Sequence, residues 1–183
     1  MAVMGVDTQL APALQLRQHL LLGDVQLRRG KGKEALTQFQ QAERLATADD
    51  RWRTVYGQAQ AQMLLQAWGP AETLLKQVLR SGSAELARLS RVGLVQVLNE
   101  QGKYNDALTR IKELLPTSEA TEKASLTWQQ MRALLGVNKP KDANERFREL
   151  AAAAPPAITE ADEFLILRNL VAALIKAGEV ESA

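Results

Sequence analysis

Apolar residues recur along this chain at helical spacing, and the same arrangement returns every 36 residues. A small residue stands at Ala35, Ala71, Ala107 and Ala143. Apolar residues follow four and seven positions after each of them, namely Phe39 and Ala42, Leu75 and Val78, Ile111 and Leu114, and Phe147 and Leu150. Positions i, i+4 and i+7 lie on one side of an α-helix. The pattern therefore predicts four equivalent amphipathic helices.

Each of these helices follows a short turn, and another helical pattern lies before the turn. Gly30, Gly102 and Asn138 fit the left-handed position that ends a helix. Pro70 and Pro140 fit the first turn of the helix that follows, where the missing N–H costs nothing. Apolar residues at helical spacing fill the stretches before the turns, at 20–27, 55–65, 92–98 and 126–135. The repeating unit is therefore predicted to be a helical hairpin.

A fifth hairpin begins near the end of the sequence. Thr159 and Asp162 can form a capping box, which predicts a helix over about 160–177. The apolar stripe predicted for this helix is Leu167, Leu170, Val171 and Leu174. The turn AGEVESA follows, and Ala183 stands where a repeat alanine is expected, 40 residues after Ala143. We therefore expect a fragment of a longer array.

The unfinished fifth hairpin has a consequence for association. A last helix without its second helix would leave its apolar stripe uncovered, and repeat arrays normally shield their ends with polar elements. Uncovered apolar surface marks an association site. We therefore expect self-association through the C-terminal helix, or residues 178–183 folded back over it.

The hairpins resemble tetratricopeptide repeats, whose units read W-x2-L-G-x2-Y, then A-x3-F, then Pro. The first unit matches in part through His19, Leu22, Gly23, Gln26, Ala35, Phe39 and Ala42. The third unit matches through Leu94, Leu98, Gly102, Tyr104 and Ala107, and the fourth closes with Pro155. No unit has the Trp or the first-helix Tyr of the pattern, and Gln58 and Gln130 replace its usual Leu. The second-helix registers are therefore better defined than the first-helix registers.

The resemblance implies an all-α fold of tandem helix-turn-helix repeats stacked in a right-handed superhelix. A partly ordered segment over 1–15 would precede a solenoid over 16–183. Its predicted units are 16–49, 50–83, 84–118, 119–156 and an incomplete 159–183. An ordinary antiparallel bundle is the alternative, but a bundle does not need a common period, whereas stacked repeats do.

In such a superhelix the first helices line a concave groove, where a partner protein or peptide lies. The groove residues that the resemblance implies are Arg17, Leu20, Asp24, Arg53, Tyr56, Gln60, Met63, Leu89, Val92, Gln96, Asn99, Trp128 and Arg132. Tyr56 and Trp128 are candidate anchors, because large amphipathic rings supply much contact area at low entropic cost. The alternative is that both rings fill gaps between adjacent repeats.

Composition excludes several other classes of site. Lys and Arg number 23 against 21 Asp and Glu, and both signs are interleaved, so we expect no nucleic-acid partner. There is no cysteine, and no stretch is long and apolar enough for a membrane span. We expect a soluble segment with no inserted helix, and the lack of cysteine slightly favours a bacterial periplasm over the cytoplasm.

A catalytic or metal site is not expected either. His19, the single histidine, occupies a position where the family has a bulky buried residue. The segment 30–33 lacks the flanking residues of a phosphate loop and fits a turn between helices. Acidic residues at 160, 162 and 163 suit a helix start without a metal. We expect no enzyme activity, no cofactor and no metal.

Two functional classes fit these expectations. The first is a protein-interaction scaffold within a larger repeat protein, for example in a bacterial envelope assembly for polysaccharide export or secretion. The second is the docking or sensing module of a signalling or transcriptional regulator. A signal peptide or DNA-binding domain elsewhere in a parent protein would distinguish them.

Overall fold

The computed structural model describes residues 11–153 and 161–178, and it is helical over both stretches. The described residues form nine α-helices and no strand. These are α1 Pro12–Arg28, α2 Gly32–Leu45, α3 Ala48–Leu64, α4 Trp68–Val78, α5 Ala84–Glu100, α6 Tyr104–Leu114, α7 Ala120–Gly136, α8 Pro140–Ala153 and α9 Ala161–Lys176, with a single 3-10 turn at Leu115–Thr117 after α6. The predicted all-α class of consecutive helical hairpins is confirmed.

The turns follow the repeat. Gly30, Gly102 and Asn138 have positive φ angles of 71°, 73° and 58°, as their positions predict. Gln66 (57°) and Gly178 (78°) occupy the same place in the second and fifth turns. In all five turns the backbone N–H of the left-handed residue donates to the carbonyl three residues earlier, at 2.9–3.1 Å. Pro140 begins α8, and Pro70 lies in the first turn of α4.

The chain divides into two compact units, Met1–Ser90 and Arg91–Ala183, with the boundary inside α5. Both units contain helical hairpins, and each has a core of its own. The finer division into five repeat units stays a prediction. Thr159 of the predicted capping box lies outside the described residues, as do 1–10 and 179–183.

The first unit is built around Phe39. Its core contains Leu16, Leu20, Ala35, Phe39, Ala42 and Ala61. A β-carbon added at Gly23 on α1 or at Gly57 on α3 would lie 2.7 Å from Phe39 Cζ. The absence of a side chain at both glycines therefore lets two first helices close over one aromatic ring. Beside this core, His19 Nδ1 lies 2.9 Å from Gln38 Oε1, which links α1 to α2.

The second unit joins α9 to the hairpin formed by α7 and α8. Its largest core contains Trp128, Met131, Leu134, Ala143, Ile166, Leu170 and Leu174. The Trp128 and Phe147 rings lie 6.3 Å apart between centroids, in a tilted arrangement. A smaller core packs Ala107 against Leu98 and Ala133.

The repeat alanines occupy the most tightly packed positions of both units. Ala35, Ala71, Ala107 and Ala143 are each 0% exposed. The prediction that the 36-residue spacing marks buried positions is therefore confirmed by the burial of these four side chains.

The predicted stripe of the last helix is wrong in part. Leu170 and Leu174 are buried together with Ile166, and Leu167 is half-buried. Residues 166, 170 and 174 are four apart, so they form one face of α9, and this face packs on α7 and α8. Of the four predicted residues, Val171 alone is exposed.

Candidate functional site

A concave cavity of about 430 Å³ opens in the first unit between α1, α3 and the start of α5. Aromatic, aliphatic and polar side chains all contribute to its walls. They are Asp24, Phe39, Arg53, Tyr56, Gly57, Gln60, Ser83, Glu85, Leu86 and Leu89. Binding sites in proteins commonly combine an apolar surface with a few polar groups in this way.

The floor of the cavity is apolar because Gly57 has no side chain. Phe39 comes from α2, on the far side of α3, and its ring reaches the cavity past the bare backbone of Gly57. Leu86 and Leu89 form the wall contributed by α5. Since Phe39 is buried in the core, the floor is rigid and can serve as a packing surface for a ligand side chain.

The rim of the cavity carries charges of both signs. Arg53 Nη2 lies 3.5 Å from Asp24 Oδ2, which joins α3 to α1. Both side chains are largely exposed, so the pair contributes little to stability and can rearrange around a ligand. Glu85 is exposed at the start of α5. With Gln60 and Ser83, the rim offers both donors and acceptors to a peptide backbone.

Tyr56 is the amphipathic ring of this cavity. Burial raises the pKa of its phenol above the ordinary value, and the guanidinium of Arg88 partly opposes the shift. The phenol is therefore neutral at physiological pH and can donate or accept a hydrogen bond. Tyr56 thus combines apolar area with a polar end, as binding anchors commonly do.

The cavity collects several residues that the sequence assigned to a groove. Asp24, Arg53, Tyr56, Gln60 and Leu89 all line it. Of the other predicted groove residues in this unit, Arg17 is exposed outside the cavity and Met63 is half-buried.

Leu20 lies elsewhere. It is buried in the first core with Leu16 and Phe39, which removes it from the surface. The reason is its helical register: Leu20 is four residues after Leu16 and therefore shares its inward face.

The groove residues predicted in the second unit do not gather in one place. Val92 and Gln96 are half-buried. Asn99 is buried, and its Nδ2 donates to the backbone O of Gln129 (2.9 Å) and to Gln129 Oε1 (2.8 Å). Trp128 is 5% exposed and packs in the core, so the gap-filling alternative describes it better than the anchor role.

Arg132 lines a second cavity, of about 340 Å³, between α7 and α9. Its guanidinium donates to Glu100 Oε1 at one side of this space. The other residues around it are Tyr104, Leu135, Gly136, Leu165, Ile166, Asn169 and Ala173. Neither cavity contains a cluster of groups suited to acid-base chemistry.

The sequence carried signals for some residues that were missed. Leu165 stands at the repeat position of Arg53 and Leu89, allowing for the four extra residues before α9. Extending the count to the fifth unit would have included it. Phe39 was assigned to a core stripe, and nothing in the spacing shows that its ring also faces a cavity past Gly57.

Two general findings bear on the site. Within 11–153 and 161–178, no group of His, Cys, Asp or Glu side chains could hold a metal ion. Over the same residues, no helix is both long and apolar enough to cross a membrane.

Two solved structures are similar to this chain. MamA from residue 41 to its end, from Desulfovibrio magneticus RS-1, superposes with a TM-score of 0.71 at 17% sequence identity, over 94% of this chain and 90% of that one. The MamA RS-1 ArsTM double mutant gives a TM-score of 0.70 at 17% identity, with the same coverage of both chains. MamA is a TPR-like protein, so the likeness shows a TPR-like fold. No family model and no curated protein sequence matches the chain.

Proposed function

We propose that this chain is a non-catalytic interaction module that binds a protein or peptide partner across its first helices. The single observation that carries the proposal is the cavity around Tyr56, where residues of three successive first helices meet over an apolar floor. Its volume of about 430 Å³ suits a side chain or two of a partner. Near-balanced charge over the chain, 23 basic against 21 acidic residues, supports a protein partner over a nucleic acid.

In this proposal each part of the cavity has a separate task. Phe39, Leu86 and Leu89 receive an apolar or aromatic side chain of the partner. Tyr56 packs its ring beside that side chain and directs its phenol to the partner backbone. Gln60 and the Arg53–Asp24 pair supply hydrogen bonds at the rim, where they set orientation more than affinity.

A selection of displayed peptides against the whole chain tests this function. Peptides enriched on the wild type should carry an apolar or aromatic residue. Leu89→Arg should weaken their binding by about tenfold or more, since a charged group would stand in the apolar wall. Leu21→Arg is the matched control, because Leu21 is 62% exposed on α1 and does not line the cavity. Equal binding to wild type and Leu89→Arg would refute the proposed site.

For the biological setting, we favour a scaffold in a bacterial envelope assembly, such as one for polysaccharide export or secretion. The absence of cysteine from 183 residues supports an oxidising compartment. The alternative is a docking or sensing module of a regulator. Fractionation of host cells, with immunodetection of the native protein, decides between them: recovery in the periplasm supports the envelope role, and recovery in the cytoplasm supports the regulator.

A further inference from the structure

The helix α9 has an uncovered apolar stripe on the side next to its packed face. This open stripe consists of Phe164, Val171 and Ile175, which are 63%, 41% and 55% exposed. The three residues lie at i, i+7 and i+11, so they follow one line along the helix. The packed face of Ile166, Leu170 and Leu174 is rotated away from this line and is already occupied by the α7–α8 hairpin.

The internal repeat shows how this stripe is treated elsewhere in the chain. Shifting by 40 residues and then by steps of 36 gives the equivalent positions in the other four first helices. The positions equivalent to Val171 are Met131, Val95, Ala59 and Gly23, and all four are buried. Those equivalent to Ile175, namely Leu135, Asn99, Met63 and Leu27, are buried or half-buried. Only in α9 does this line of residues face solvent, among the helices that the structure describes.

The element that covers the equivalent stripe is the second helix of the same hairpin. In the first hairpin, the Phe39 ring of α2 lies against Gly23 of α1. In the fourth hairpin, Phe147 and Leu150 of α8 pack in one cluster with Met131 and Leu135 of α7. Both covering helices present a small residue, a large apolar residue four positions later and an apolar residue three positions after that.

The end of α9 has the geometry that places such a helix. Gly178 adopts the left-handed conformation, and its N–H donates to the Ile175 carbonyl at 3.1 Å. The other four turns have this same bond, and each of them leads the chain into a second helix. The space beside the open stripe is therefore shaped by the repeat to hold one helix, lying antiparallel to α9.

We propose that the open stripe of α9 is a docking site for an amphipathic helix of a second polypeptide. The helix that fits carries the stripe of the covering helices: a small residue, a large apolar residue at +4 and an apolar residue at +7. It would pack antiparallel to α9, with its large residue against Val171 and its flanks against Phe164 and Ile175. This site is separate from the cavity around Tyr56 and does not depend on the function proposed for that cavity.

The test uses the whole chain and a synthetic peptide with the sequence of residues 138–153, which contains α8 and its stripe of Ala143, Phe147 and Leu150. An isolated peptide of this length is only marginally helical, so NMR titration of the isotope-labelled chain is suitable because it detects weak binding. The shift changes should centre on Val171 and Ile175. The same peptide with Ala143→Glu and Phe147→Glu should not cause them.

Variants of the chain complete the test. Val171→Glu with Ile175→Glu should weaken peptide binding by about tenfold or more. Leu21→Glu with Val25→Glu should leave it unchanged, since these residues form a similarly exposed stripe on α1. Circular dichroism checks that both proteins keep their helix content, and Phe164→Lys, at the most exposed position of the open stripe, serves if the first variant does not.

Three results would overturn the proposal. One is the absence of peptide binding at millimolar concentration, and another is binding that the α1 variant weakens as much as the α9 variant does. The third is a self-associated chain, seen by sedimentation, whose dissociation by Val171→Glu shows that a second copy occupies the stripe and whose association the peptide does not reduce. Peptide shifts confined to α7 would count with the first result, because they would mean exchange with α8.

Discussion

The ring of Phe39 packs against the backbone of Gly57 so closely that a β-carbon on this glycine would lie 2.7 Å from Phe39 Cζ. The contact joins the second helix of one hairpin to the first helix of the next, and it also forms the floor of the cavity around Tyr56. Packing within the first unit and the shape of its candidate site therefore depend on the same pair of residues.

Gly57→Ala should destabilise the chain by about 1–3 kcal/mol, because the added methyl group overpacks a buried ring that cannot move away. Gly69→Ala in α4 is the control, since a β-carbon at Gly69 would meet nothing within 4 Å. The control should be neutral or slightly stabilising, as Ala is the better helix former. Urea unfolding followed by circular dichroism measures both. Equal free energies of unfolding for the two variants would contradict the packing described for Phe39.

Ala107→Leu should cost about 1–3 kcal/mol for a related reason, since Ala107 is fully buried against Leu98 and Ala133. Ala172→Leu, at an exposed position of α9, should change the free energy of unfolding by no more than about 0.5 kcal/mol. Thermal unfolding of the two variants provides the comparison. A melting temperature of Ala107→Leu equal to that of the wild type would show that this repeat position is not tightly packed.

Trp128 and Tyr56 should respond differently to truncation. Trp128→Ala removes a buried ring that contacts the Phe147 side of the core and should cost about 3–5 kcal/mol. Tyr56→Ala removes a half-buried ring beside an open cavity and should cost about 1–2 kcal/mol. Chemical denaturation of both variants checks the order. The reverse order would mean that Tyr56 is the packing residue and Trp128 the exposed one.

The raised pKa of Tyr56 predicts a loss of stability at alkaline pH. Above the ordinary tyrosine pKa of about 10, the unfolded chain releases this proton while the folded chain still holds it. The folded state then binds more protons than the unfolded state, so the free energy of unfolding falls as pH rises. The contribution is fully present below about pH 10 and is lost as pH rises through the raised pKa of the folded state.

Tyr56→Phe isolates this effect, since it removes the phenol and keeps the ring. The difference in free energy of unfolding between wild type and Tyr56→Phe should be constant near neutral pH and should shift against the wild type above about pH 10. Urea titrations over a pH series measure it. A difference that stays constant through the alkaline range would show that burial does not perturb this phenol.

The sequence by itself determined the local structure of this protein. Helices, turns and the buried repeat alanines follow from apolar periodicity and from residues such as Gly30, Asn138 and Pro140, because a helix and its ends depend on neighbours within a few positions. The repeat added a further constraint, since equivalent positions must have equivalent surroundings. Even the turn at Gln66, where no glycine or asparagine marks it, follows from its place between the turns at Gly30 and Gly102.

Tertiary structure alone decided which first-helix residues remain open. Leu20 and Tyr56 occupy equivalent positions, yet the first is buried against Phe39 and the second lines a cavity. On α9 the packed face proved to be Ile166, Leu170 and Leu174, leaving Val171 in solvent. Periodicity shows that a helix has an apolar side, but the boundaries of that side depend on the size of side chains from helices distant in sequence. Phe39 reaches the cavity floor only because Gly57, 18 residues later, has no side chain.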